Sequence, residues 1–188
     1  MSRAAGDKAT EASTLSRVGA VYSDTGQPQK ALDFYQQALP IRRAVGDKAG
    51  EAATLSGIGS VYSNTGEPQK ALDFYQQALP LSRAVGDKAA EATILNNIGL
   101  VYSDTGQPQK ALTFYQQALP IKSAVGDKAG EAATLYNIGS VYSKTGEPQK
   151  ALAFYQQALP LARAAGDKAG EAAILSSISA LSKPVGKP

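Results

Sequence analysis

Apolar residues recur along the chain in pairs of helical stripes. Between Asp47 and Gly86, the first stripe is Ala52, Leu55, Ile58, Gly59 and Tyr62. The second is Ala71, Phe74, Tyr75, Ala78 and Leu79, at i, i+3, i+4, i+7 and i+8. Asp47 precedes the first stripe, where its carboxylate can accept the free N–H groups of a first helical turn. Glu51 near that end suits the positive pole of the helix dipole. Thr65-Gly66 closes the first helix, with Gly66 as the left-handed residue that follows a helix end. Pro68 fits the first position of the second helix, where its missing N–H costs nothing. Gly86 ends the unit and Asp87 caps the next. The pattern predicts two antiparallel helices joined by a turn of about two residues.

Gly59, Ala71 and Ala78 lack bulk on the inner faces, so the two backbones can approach closely. Tyr62, Phe74 and Tyr75 fill the flanking space. Pro80 conflicts with this regularity. It follows Leu79 and precedes an apolar continuation, Leu81, Ala84 and Val85, and it recurs as Pro40, Pro120 and Pro160. An internal proline removes one hydrogen bond, at a cost of about 3 kcal/mol. The expectation is a helix that kinks at Pro80 and continues to about Ala84; a break at Leu79 is the alternative.

The unit repeats. Gly-Asp-Lys begins at Gly6, Gly46, Gly86, Gly126 and Gly166, an unbroken period of 40 within 188 residues. Such a period defines a repeat array. A single hairpin cannot bury its apolar faces, whereas stacked hairpins share a continuous core. The chain divides into units 7–46, 47–86, 87–126 and 127–166, a lead-in of six residues, a closing helix over 167–182 and a frayed tail over 183–188. In the closing helix Ser179 replaces the glycine seen at Gly139, and Ser182 replaces Tyr142. A more polar last helix is what a solenoid cap requires.

Composition narrows the chemistry. The absence of Cys and His removes disulfides, Cys-based metal sites, Cys nucleophiles and His general bases. The start carries no apolar signal segment, no apolar run reaches membrane-span length, and a cytoplasmic location is the default. The net charge of +3 is interspersed, which argues against a nucleic-acid footprint. Twelve of the thirteen aromatics occupy three repeat positions; Tyr136 is the exception.

Candidate chemistry is sparse. Gly66-Glu67-Pro68-Gln69-Lys70 lacks the spacing of a phosphate loop, and Pro68 removes an N–H from any cradle. Asp47 and Glu51 are explained by capping and the helix dipole rather than by paired catalytic carboxylates. Nothing marks a metal site, and no cofactor is expected. Lys30, Lys70, Lys110 and Lys150 form a row in the first turns of the second helices, expected to be solvated. Units two and four are identical at 34 of 40 positions. They differ at Ser56/Tyr136, Gly57/Asn137, Asn64/Lys144, Asp73/Ala153, Ser82/Ala162 and Val85/Ala165, and half of these differences lie in the first helix.

The core Ile58-Gly59-Ser60-Val61-Tyr62 followed by Ala71, Tyr75 and Ala78 resembles the tetratricopeptide repeat. It recurs as Val18-Gly19 with Tyr22, Ile98-Gly99 with Tyr102, and Ile138-Gly139 with Tyr142. The chain departs from the family in carrying Leu55 where a Trp leads the pattern, in its 40-residue unit, and in the shifted proline. These longer units resemble the repeats of Pins-type adaptors, kinesin light chains and bacterial signalling proteins.

The resemblance implies an all-α fold, a right-handed α-solenoid of four hairpins plus a C-terminal capping helix. It also implies a non-enzymatic scaffold that takes a protein or peptide in a concave groove lined by the first helices. The implied groove residues are Ser16, Arg17, Ala20 and Asp24; Ser56, Gly57, Ser60 and Asn64; Asn96, Asn97, Leu100 and Asp104; and Tyr136, Asn137, Ser140 and Lys144. Asn97 and Asn137 match an Asn that bonds an extended peptide backbone in several family members, and an amide both donates to and accepts from a peptide unit. Arg17 and Gly57 interrupt that ladder. RNA reading is not expected, because Asp24, Asp104 and serines occupy the groove positions; neither is a membrane partner. The alternatives are weak end-to-end self-association, a regulatory array from a larger signalling protein, and a designed repeat protein.

Overall fold

The computed structural model describes residues 3–182, with side chains described from residue 7 onward. The expected tail 183–188 and the first two residues of the lead-in lie outside the described residues. The described chain consists of α-helices joined by tight turns: α1 (Arg3–Asp24), α2 (Pro28–Val45), α3 (Lys48–Asn64), α4 (Pro68–Ala84), α5 (Lys88–Asp104), α6 (Pro108–Ala124), α7 (Lys128–Lys144), α8 (Pro148–Ala165) and α9 (Lys168–Ser182). Two compact units emerge, Met1–Asn97 and Ile98–Pro188. In the first, α1 packs on α2, α2 on α3, and α3 on α4; in the second, α6 packs on α7, α7 on α8, and α8 on α9.

Local chemistry sets the helix ends. Asp47, Asp87, Asp127 and Asp167 each accept the backbone N–H three residues on, at 2.8–2.9 Å. These are N-caps that satisfy an otherwise orphaned donor. Pro28, Pro68, Pro108 and Pro148 open the second helices. Gly66 adopts φ 77°, a left-handed conformation that costs a residue with Cβ about 1–2 kcal/mol. That conformation lets Glu67 N–H reach back to the Tyr62 carbonyl at 2.9 Å. The first unit departs from the pattern. Its helix begins at Arg3 and runs through Gly6 and Asp7, so Asp7 lies inside the helix where its counterparts are caps.

The second helices continue past their internal prolines without a break, α4 ending at Ala84 as expected. Pro40, Pro80, Pro120 and Pro160 all lie on the exposed side, as do the residues four before them, Gln36, Gln76, Gln116 and Gln156. The carbonyl that loses its hydrogen bond is therefore on the solvent face, where water can replace the missing donor.

Each hairpin closes around a tyrosine from its second helix. A Cβ built at Gly59 would fall 2.8 Å from Tyr75 Cε1, and one at Gly99 would fall 2.6 Å from Tyr115 Cε1. Only glycine permits that approach. Beside it, Tyr62 stacks on Phe74 with ring centroids 5.5 Å apart, and the same pair recurs in the other hairpins. The lysine row is not merely solvated: Lys70 Nζ lies 5.0 Å from the Tyr62 ring centre, and the other three repeat the contact. Ser179 stands free of the glycine requirement because no second helix follows α9 among the described residues.

Candidate functional site

The face of the first helices is built over the hydroxyls of the core tyrosines. In the first unit, Tyr75 is 2% exposed. Its hydroxyl meets Ser60 Oγ at 3.1 Å and the Asn97 side chain. Burial raises the Tyr75 pKa above the usual phenol value, while these two hydrogen bonds oppose the rise. Ser60 also donates back to the Ser56 carbonyl at 3.1 Å. Tyr35 holds the equivalent place one hairpin earlier, but its ring crosses Gly57. A Cβ there would lie 2.7 Å from Tyr35 Cζ. The Tyr35 ring thus lies across the ladder position that Asn97 fills beside Tyr75. Burial, then the nearby Asp24 charge, raises the Tyr35 pKa.

The remaining first-unit candidates divide by exposure. Arg17, Asp24 and Asn64 are exposed, while Ser16, Ala20, Ser56 and Asn96 are half-buried. Ser16 Oγ lies 3.1 Å from Thr54 Oγ1, so it ties α1 to α3 rather than pointing away from the protein. Ala20 packs on the cluster around Tyr35.

In the second unit, Ser140 Oγ meets the Tyr155 hydroxyl at 3.3 Å, repeating the Ser60–Tyr75 contact. Burial and the Asp104 charge raise the Tyr115 pKa strongly. Asp104 Oδ1 and Lys144 Nζ stand 3.8 Å apart with both side chains largely exposed, a pairing worth little in water. Leu100 is 39% exposed, and Asn137 is half-buried with a polar interaction of its own.

Tyr136 is integrated into the packing. Its ring lies 5.3 Å from that of Tyr155, and its hydroxyl lies 3.3 Å from Ser177 Oγ on α9. It belongs with the half-buried residues around the last core cluster. The irregular aromatic therefore wedges α7 against α9, where smaller residues serve in the other first helices.

Sequence reasoning passed over one set of residues. Arg42 and Lys122 are 8% and 7% exposed and pair with the cap residues Asp47 and Asp127. Lys122 Nζ lies 2.8 Å from Asp127 Oδ2 and, as the largest influence, lowers the Asp127 pKa. The signal was the variation Arg42, Ser82, Lys122, Ala162, the one position of the second helix occupied by four different residues in the four repeats. Glu51, Glu91 and Glu171 likewise do more than face a dipole: each accepts from Arg43, Arg83 or Arg163 at 2.6–2.8 Å across a hairpin junction.

This succession of hairpins, with its glycine–tyrosine contact and left-handed turns, defines a helical-repeat protein. The tetratricopeptide repeat family matches residues 10–84, 51–124 and 90–164, and the chain belongs to that family. Family members serve generally as protein-interaction scaffolds. No curated protein matches the chain. Among solved structures, BtubC from P. vanneervenii is 25% identical, with TM-score 0.73 over 84% of this chain and 65% of its own. Aspartyl phosphate phosphatase F from Bacillus subtilis is 16% identical, with TM-score 0.89 over 94% and 46%. A Rap protein complexed with Competence and Sporulation Factor is 18% identical, with TM-score 0.83 over 92% and 52%. The chain thus spans less than two thirds of the length of each of these relatives. Among the described residues no helix is long and apolar enough to cross a membrane.

Proposed function

We propose that the chain is a non-enzymatic cytoplasmic scaffold that takes an extended or helical segment of a partner protein along its first helices. The observation that carries this reading is the Ser60–Tyr75–Asn97 cluster. Tyr75 pins the Asn97 amide in place, yet one bond uses only part of an amide's donors and acceptors. A pinned, half-buried amide binds a peptide backbone with little further loss of side-chain freedom. The Rap complex with Competence and Sporulation Factor supports capture of a ligand by this fold. The exposed Arg17, Asp24, Asn64, Leu100, Asp104 and Lys144 are proposed to select among ligands. Ser16, Ala20, Ser56, Gly57, Asn96, Asn137, Ser140 and Tyr136 complete the surface. The division into units 7–46, 47–86, 87–126 and 127–166 with a closing helix over 167–182 is part of the same proposal.

The test is the variant Asn97→Ala/Asn137→Ala. Its affinity for a partner, identified by affinity capture and mass spectrometry, is expected to fall at least tenfold with little change in melting temperature. An unchanged affinity sinks the assignment. Tyr136→Ala is the wrong probe, since it also removes core packing.

Self-association is the second reading. Val21 is 60% exposed where Val61, Val101 and Val141 are 1–2% exposed, and Leu175 is 42% exposed where Leu55 and Leu95 are at 1%. The apolar positions covered between hairpins are thus open on α1 and α9. Light scattering over a concentration series tests this, and a strictly monomeric mass at high concentration removes it.

A further inference from the structure

Where each second helix hands over to the next first helix, one repeat position lies beside the cap aspartate. At the first junction it is Arg42, which pairs with Asp47 Oδ2 and reaches Ser13 Oγ at 3.4 Å. Lys122 makes the corresponding bond to Asp127 Oδ2 at 2.8 Å. In both cases Oδ1 takes the glycine N–H and Oδ2 takes the cation. The glycine also keeps the space clear: a Cβ at Gly50 would fall 1.9 Å from Arg42 Nη1, and one at Gly130 would fall 2.6 Å from Lys122 Nζ.

The last junction has the same receptor without its occupant. Asp167 Oδ1 takes the Gly170 N–H at 2.9 Å, but the cation's position is Ala162. Asp167 pairs with no cation among the described residues. A cavity of ≈ 250 Å³ is left between α7, α8 and α9. Its floor is the buried Ala132, Ala162 and Ile174, and Tyr136 and Asp167 stand at its half-buried wall.

We infer that this cavity is a binding pocket for a lysine side chain carried by a partner polypeptide. The apolar floor covers the methylenes, Asp167 Oδ2 takes the ammonium as Asp127 Oδ2 does within the chain, and the Tyr136 ring adds a cation-attracting surface. Lysine fits better than arginine. A guanidinium brings five N–H donors, and Arg42 already leaves Nε unpartnered although Ser13 takes one of the others. At the last junction Ala133 stands where Ser13 does and offers no acceptor. That the lysine comes from a protein rests on the proposed scaffold role; the pocket's preference for an alkylammonium does not.

The test is an NMR titration of the full chain with n-butylammonium, against 1-butanol as the neutral counterpart. Saturable shifts are expected at the Asp167, Gly170 and Ile174 amides, with 1-butanol at least tenfold weaker. Asp167→Asn retains a capping side chain but removes the charge, and should abolish the response. Ala162→Lys should do the same by filling the cavity from within. No saturable response in the parent chain, equal binding of 1-butanol, or an undiminished response in Asp167→Asn would each overturn the inference. The Asn97→Ala/Asn137→Ala variant should bind butylammonium normally, so failure of the groove reading and failure of this pocket are separately visible.

Discussion

Replacing Gly59 with Ala tests the packing rule on which every hairpin rests. On helix propensity alone the change should stabilise, by up to about 1 kcal/mol. The contact geometry opposes it. The new Cβ would lie 2.8 Å from Tyr75 Cε1 and 2.9 Å from Cδ1, closer than carbon atoms rest. Tyr75 cannot swing aside, because it is 2% exposed and its hydroxyl is held by Ser60 and Asn97. The helices must part or the ring must leave its rotamer, at about 2–3 kcal/mol for one overpacked methyl. The net expectation is a loss of about 1–2 kcal/mol, or roughly 2–8 °C in melting temperature for a chain of this length. Thermal and urea unfolding followed by far-UV circular dichroism measure it. Combining Gly59→Ala with Tyr75→Leu should recover much of the loss relative to Tyr75→Leu alone, and the double-mutant cycle isolates that coupling. A Gly59→Ala protein as stable as the parent, or more so, would refute the close-approach argument.

Other substitutions probe the junctions and the core. Pro80→Ala should raise the melting temperature, because it restores a helical N–H on an exposed face; about 3 kcal/mol is available, less about 1 kcal/mol from the freer unfolded chain. A fall would contradict the solvent-side account of these prolines. Glu91 is 5% exposed between Arg83 and Lys88, each at 2.7 Å, and its pKa is lowered from 4.5, with Lys88 as the first cause. Its contribution is therefore present above about pH 4.5 and lost as pH falls below it, so Glu91→Gln should flatten the acid limb of a stability-versus-pH curve. Tyr115 has a raised pKa, so the folded state disfavours its ionisation; stability present below pH 10 should decline as pH rises above that value, less so in Tyr115→Phe. Lys122→Ala should cost about 1–2 kcal/mol in chemical denaturation, since the Asp127 carboxylate it leaves is part-exposed and can be hydrated, and should create a new butylammonium response at the Gly130 amide.

The hairpin was legible because its determinants are local. Asp47, Gly66 and Pro68 act within a turn or two of their own position, and the stripes through Ile58 and Tyr75 follow from helical periodicity. The site was less legible. Tyr136 stands out in the sequence as an aromatic without a repeat counterpart, which suits a binding surface and a packing wedge equally well. The choice depends on what lies across from it, here Tyr155 and Ser177, and neither is a helical neighbour. Gly57 reads in the sequence as a missing ladder residue, and only the fold places the Tyr35 ring across it.

The sequence alone determines the period, the helix limits from Asp caps to left-handed glycines, the internal prolines and the membership of a hairpin-repeat class. All of these are set by backbone dihedrals and by contacts a few residues apart. Tertiary structure decided which residues of one repeat position meet which of another. Arg42, Ser82, Lys122 and Ala162 appear in the sequence as tolerated variation along the second helix. In the fold that position lies beside the cap aspartate of the next helix, so the same variation becomes a buried cation paired with a part-exposed carboxylate, a hydroxyl bonded to its own helix, or an open cavity. Cation, carboxylate and glycine converge only when two helices turn back on each other, and one-dimensional spacing does not measure the space left between them.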